Sequence, residues 1–102
     1  MNLHPDIRHE PDPDNPGWWT WDLTGPDRFN NVIGPLRVRR GEDGRGWCRM
    51  VPEERHMNLQ GVLHGGALMT FIDMALFAGG AMTGVNIARA VTLDCSVQFL
   101  GA

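Results

Sequence analysis

The hydrophobic positions change period along the chain. Leu36 and Val38 alternate with Arg37, Arg39 and Arg40, and the stretch from Trp47 to Val51 alternates again. Between them lies Gly41-Glu-Asp-Gly-Arg-Gly46, a glycine-rich turn with an Asp-Gly step, so the spacing predicts a β-hairpin. From Ala67 to Thr83 the period lengthens. Leu68, Phe71, Ile72, Ala75, Leu76, Ala78 and Met82 recur at three- and four-residue intervals, and Met69, Met74 and Phe77 fill much of the rest. This predicts a long helix, apolar nearly all round, that is either enclosed or spans a membrane. Gly84 and Asn86 end it. From Ala90 to Leu100 strict alternation returns. Val91, Leu93, Cys95, Val97 and Phe99 take one face and Thr92, Asp94, Ser96 and Gln98 the other, which predicts a half-buried strand.

The membrane alternative is disfavoured by the contents of the helix. The uninterrupted apolar run is short, Asp73 lies inside it, and Gly79-Gly80 lowers its helix stability. An acid at the centre of a bilayer costs about 2.5–3.5 kcal/mol on insertion scales.

Ahead of the hairpin, residues 1–29 read as a polar leader. Pro5, Pro11 and Pro13 stud its first half, which is expected to be disordered or loosely docked. Trp18, Trp19 and Trp21 follow as a cluster suited to anchoring that segment onto a core, with a ligand-stacking role as the alternative. Arg28 to Gly34 reads as a short helix or turn, and Pro52 to Asn58 as a loop. The division is thus a leader over 1–29 and a folded domain over 30–102. The predicted hairpin and single strand are too few to cover both sides of so apolar a helix. The missing surface must come from further strands, from a second copy, or from both.

Composition narrows the class. At 102 residues the chain has room for one small domain. Its formal net charge of −3 and scattered Arg lack the basic footprint of a nucleic-acid binder. Ten of the twelve acids and eight of the nine Arg precede Met57; only Asp73, Arg89 and Asp94 carry charge after it. The front half therefore reads as solvated surface and the back half as enclosed material. Cys48 and Cys95 form neither a disulfide framework nor a metal-ligand set, and the first twenty residues show no apolar signal region. A soluble, cytoplasmic setting is expected.

Candidate chemistry concentrates between Asn58 and Asp73. His64-Gly65-Gly66 falls where loop becomes helix. The first N–H groups of a helix lack intrahelical partners, and the helix dipole adds positive potential there. Glycine also permits close approach to the backbone. A Gly-Gly at that point can therefore act as an oxyanion hole for a carbonyl that gains charge. A tight helix start with no ligand gives the same spelling. Asp73 is an acid within the apolar helix, with Met69, Thr70, Leu76 and Phe77 one turn away. Such a carboxyl suits general-base or nucleophilic work, unless it faces a solvent channel or bonds to backbone. Gly65 and Asp73 are eight residues apart, about 12 Å along a helix. One carbonyl cannot touch both within one chain. If both act on one substrate, Asp73 comes from a second subunit in a two-fold dimer with antiparallel helices. His64 is either a structural loop-end residue or a group that positions Asn58 or assists a leaving group. His4, His9 and His56 lie in the polar leader and loops, and no His, Cys or acid set has metal-ligand spacing. Thr92, on the polar face of the last predicted strand, is an ordinary strand residue or one that orients a water.

The stretch from Asn58 through His64-Gly65-Gly66 to Asp73, with the segment around Thr92, resembles the hotdog-fold acyl-CoA thioesterases of the phenylacetate-pathway (PaaI) type. The resemblance covers residues 30–102. It implies an α+β fold, a curved antiparallel sheet wrapped around a long central helix, paired into dimers and often tetramers. It implies hydrolysis of an acyl-CoA thioester with no metal or redox cofactor. Asp73 would be the nucleophile or the base that activates water, and the Gly65 N–H would polarise the thioester carbonyl. Asn58 and His64 would help to hold the thioester from the partner side, and Thr92 would orient the water. The family continues with further strands beyond the one after the helix, so this chain is expected to be truncated relative to it. No Arg or Lys cluster for nucleotide phosphates is recognisable, with Arg89 the only basic residue nearby. The rival readings are a non-catalytic acyl- or CoA-binding hotdog module, or inactive fragment, and a hotdog dehydratase or hydratase. The last is disfavoured because its chemistry needs a different acid/base pairing around its His.

Overall fold

The computed structural model describes residues 3–87, 91–98 and 100. Four strands form one antiparallel sheet in the order of the chain: β1 (Ile7–Arg8), β2 (Trp19–Leu23), β3 (Leu36–Arg40) and β4 (Gly46–Met50). The helix α1 (Gly65–Met82) lies across β3 and β4. The β3–β4 hairpin is where the alternation predicts it, closed by Gly44 at φ +82 and by the Gly41 N–H donating to the Arg45 carbonyl at 2.8 Å.

Register sorts the side chains. Val38 pairs with Trp19 and Cys48, and Leu36 with Trp21 and Met50. Successive strand side chains point to opposite faces. Trp21, Leu36 and Val38 therefore meet Met74, Ala78, Ala81 and Met82 of α1 in one core, joined by Ile33. The outer face is polar. Arg37 bridges Asp12 at 2.8 Å and Asp22 at 3.0 Å, and Arg8 holds the same Asp22 at 2.6 Å. Beside that network Arg39 sits over the rings of Trp18 and Trp47, and Arg49 sits 4.2 Å from the Trp18 ring centre.

Close packing of α1 on β4 accounts for two glycines. A Cβ built on Gly46 would fall on the carbonyl of Gly79. The Gly79-Gly80 step weakens the helix locally but lets the strand backbone approach it directly. Gly84, at φ +92, terminates the helix as expected.

The α+β hotdog expectation agrees with this sheet-on-helix arrangement. Three expectations need correction. The first half of the leader is not loose: β1 within it pairs with β2, Thr20 Oγ1 donates to the Arg8 carbonyl at 2.9 Å, the Glu10 N–H donates back to that hydroxyl at 3.0 Å, and Arg37 of β3 donates to the Asp12 carboxylate at 2.8 Å. Polar groups that read as solvated thus tie the leader to the sheet edge. The helix is not enclosed: a single stripe is buried, while Met69 and Leu76 on other sides are 45% and 59% exposed. The strand expected over 90–100 does not form among the described residues, where Val91 and Leu93 are 76% and 94% exposed. Alternation provides a face, but a strand needs a neighbour's backbone to bond, and β1–β4 offer it none. Ala90 and Phe99 of that expectation, and Arg89, lie outside the described residues.

Candidate functional site

The helix start is organised by His64. Its backbone is extended (φ −63, ψ 133), and its Nδ1 accepts the Gly66 N–H at 2.8 Å while its carbonyl accepts the Leu68 N–H at 3.0 Å. This is an N-cap with imidazole in the place of the usual hydroxyl or carboxylate. An accepting Nδ1 leaves the hydrogen on Nε2. The Gly65 N–H, one residue earlier, has no hydrogen-bond partner among the described residues and lies on the exposed surface. His64 does not bond Asn58. Instead Asn58 Oδ1 accepts the N–H groups of Gln60 at 2.9 Å and Val62 at 3.3 Å, shaping its own loop. With the oxygen so occupied, the amide NH2 is the end of Asn58 left for other contacts.

Asp73 and Thr92, nineteen residues apart, meet: Thr92 Oγ1 donates to Asp73 Oδ1 at 2.5 Å. The contact exists although the segment around Thr92 is not a strand. Asp73 is half-buried, where an acid within an enclosed helix was expected. Its helix face opens on a cleft of about 410 Å³. Ile7, Trp21, Leu23, Met74, Phe77 and Ile87 give the cleft an apolar wall, and Arg28, Asn30 and Asn31 give it a polar rim. Ile7, Trp21 and Leu23 of the leader build much of that wall. The volume falls within the range of small-molecule sites. Along α1 the carboxylate and the Gly65 amide remain eight residues apart, on the order of 12 Å. Within one chain the structure joins Asp73 with Thr92 and Gly66 with His64, and leaves these two pairs separate.

His56 was not singled out by sequence reading, yet it is among the most deeply enclosed polar residues, 1% exposed. The signal available was Glu53 three residues before it, a capping-box spacing that the short 3-10 turn Glu54–His56 realises. Among the described residues, no group of three or more His, Cys, Asp or Glu is arranged to hold a metal ion.

Residues 60–102 match the model of the thioesterase superfamily. Over 51 residues the chain is 35% identical to acyl-coenzyme A thioesterase 13 of Homo sapiens and, equally, of Pongo abelii. The aligned stretch covers 50% of this chain and 36% of either relative, so it spans roughly a third of the length of those curated proteins. No solved structure matches the chain significantly.

Proposed function

We propose that this chain, which carries the thioesterase-superfamily pattern over residues 60–102, forms the catalytic part of an enzyme that hydrolyses an acyl-coenzyme A thioester to a carboxylic acid and free coenzyme A. The observation that carries the reading is the Asp73 carboxylate, held by the Thr92 hydroxyl at the wall of an apolar cleft. Thr92 occupies Oδ1, which leaves Oδ2 to take a proton from water or to attack the carbonyl and form a mixed anhydride. The acyl group lies against Trp21, Leu23 and Phe77. The thioester oxygen gains charge as the carbonyl is attacked, and the exposed Gly65 N–H at the positive end of α1 stabilises it. Asn58 Nδ2 steadies the thioester, and His64 Nε2–H faces the departing thiolate. The spacing from Asn58 to Asp73 supports the phenylacetate-pathway type within this class.

The separation of Gly65 from Asp73 makes a site of two chains. A second copy with its helix antiparallel brings its own Gly65 to this Asp73, and symmetry makes two such sites. The exposed Met69 and Leu76 of α1 provide apolar surface for the pairing, and dimers of this kind can pair again into tetramers.

Hydrolysis of a panel of acyl-CoA thioesters, followed by release of free thiol, tests the reading. Asp73→Asn should lower kcat by about 10²-fold or more, the usual worth of a positioned base. Unchanged turnover in that variant rules the mechanism out. Binding of acyl-CoA by the wild type without any turnover makes the chain an acyl-CoA-binding module instead.

A further inference from the structure

We propose that His56 is a positioning residue that fixes the Asn58 loop and the amides opening α1. Its kinetic consequence rests on the proposed thioesterase reading; its structural consequence does not. His56 Nδ1 accepts the Glu53 N–H at 2.9 Å. An accepting Nδ1 puts the ring hydrogen on Nε2, which therefore donates to the Val32 carbonyl at 2.9 Å. Arg55 Nε approaches the same Nε2 at 3.3 Å, but that hydrogen already points at Val32 and leaves no lone pair to accept; Arg55 instead donates through Nη2 to the Gly34 carbonyl at 2.7 Å. The third tie is backbone: the His56 carbonyl accepts the His64 N–H at 2.8 Å.

These ties reach three separate pieces of chain. Glu53 belongs to the exit from β4, Val32 to the 3-10 turn Phe29–Val32 ahead of β3, and His64 is the cap of α1. The bond to His64 closes the base of a loop whose inner rungs are the Met57–Leu63 bridge and the Asn58 N–H donating to the Val62 carbonyl at 2.7 Å. The loop itself is exposed, and neither Leu59 nor Val62 packs into the core. Among the described residues His56 is the fully enclosed side chain at the base of this loop, while Ala67 packs the first turn of α1 on the core, so the imidazole together with that packing sets the place of Asn58, His64 and the Gly65 amide relative to the sheet. Both ring nitrogens are spent on backbone, which excludes His56 from touching substrate.

The test uses His56→Gln, whose amide keeps a donor toward Val32, and His56→Asn, whose oxygen keeps an acceptor for Glu53. In the full chain, at a temperature well below unfolding, the Gly65 and Gly66 amide resonances should shift and exchange about tenfold faster with solvent. kcat on acyl-CoA should fall about tenfold with KM within about twofold, since binding in the cleft is untouched. A lower melting temperature with unchanged Gly65 and Gly66 amides and unchanged kcat overturns the proposal. If the wild type hydrolyses no acyl-CoA, the thioesterase reading fails, and the amide shifts still decide the role of His56. Should neither variant fold, native-state hydrogen exchange on the wild type decides. The Glu53 and His64 amides, both bonded to His56, should open in one step with equal denaturant dependence, and independent opening overturns the proposal.

Discussion

Asp12 shows how a single residue in a solvated-looking leader becomes structural. It is 6% exposed, and its carboxylate accepts the Asn15 amide at 2.8 Å, the Asp14 N–H at 3.0 Å and Arg37 Nε at 2.8 Å. Those bonds, the Asn15 amide first, hold its carboxyl below the ordinary value of 3.8. A depressed folded pKa contributes stability that is fully present above the unfolded value and is lost as pH falls through the folded one. Asp12→Asn should therefore lower the urea midpoint at pH 7 and leave it nearly unchanged near pH 2; an equal loss at both would contradict the assignment. Cys48 gives a second residue-scale outcome. Burial pushes its thiol up to about 11, whereas Cys95 is exposed. A thiol reagent at pH 8 should label Cys95 and reach Cys48 only after unfolding, as mass analysis of the labelled native protein would reveal. Thr92 belongs here too. Thr92→Val removes the hydroxyl bonded to Asp73 but not the carboxylate, so it should cost less activity than Asp73→Asn.

Among the elements, the contact of β4 with α1 is the most constrained. Gly46→Ala drives a methyl into the Gly79 carbonyl, and overpacking of this kind costs about 1–3 kcal/mol. Chemical denaturation should show that loss, while Gly44→Ala acts through its positive φ alone. The hairpin, the short turn after Arg28 and the long helix were all legible in the spacing of apolar residues, because each is local and carries its own period. Helix α1 starts two residues before its apolar run, at the capped Gly65, because glycine has no side chain to register in such a pattern. The last alternating segment was misread for the opposite reason. Its face was visible, but strand pairing is a property of the neighbour, and no strand among the described residues pairs with residues 91–98.

For the whole molecule, the open sides of α1 and the distance between its start and Asp73 lead to one prediction about assembly. Gly65→Pro removes the candidate oxyanion amide at a first helical position, where proline is tolerated. If each site draws Asp73 and Gly65 from different chains, mixing inactive Asp73→Asn with inactive Gly65→Pro yields heterodimers with one intact site. Random reassortment should then restore about a quarter of wild-type activity. No recovery after subunit exchange would rule out a site shared between two chains.

Gly65, Gly66 and Asp73 were conspicuous in the sequence, since a glycine pair after a loop and an acid in an apolar helix are departures from local pattern. The α+β class was legible as well, because the period of apolar positions specifies which elements form. Tertiary structure alone decided that Thr92 meets Asp73, that the leader walls the cleft, and that an inconspicuous loop histidine clamps the helix start. Each of these is a meeting of residues distant along the chain, and such meetings arise from how sheet and helix pack, which one-dimensional spacing does not encode.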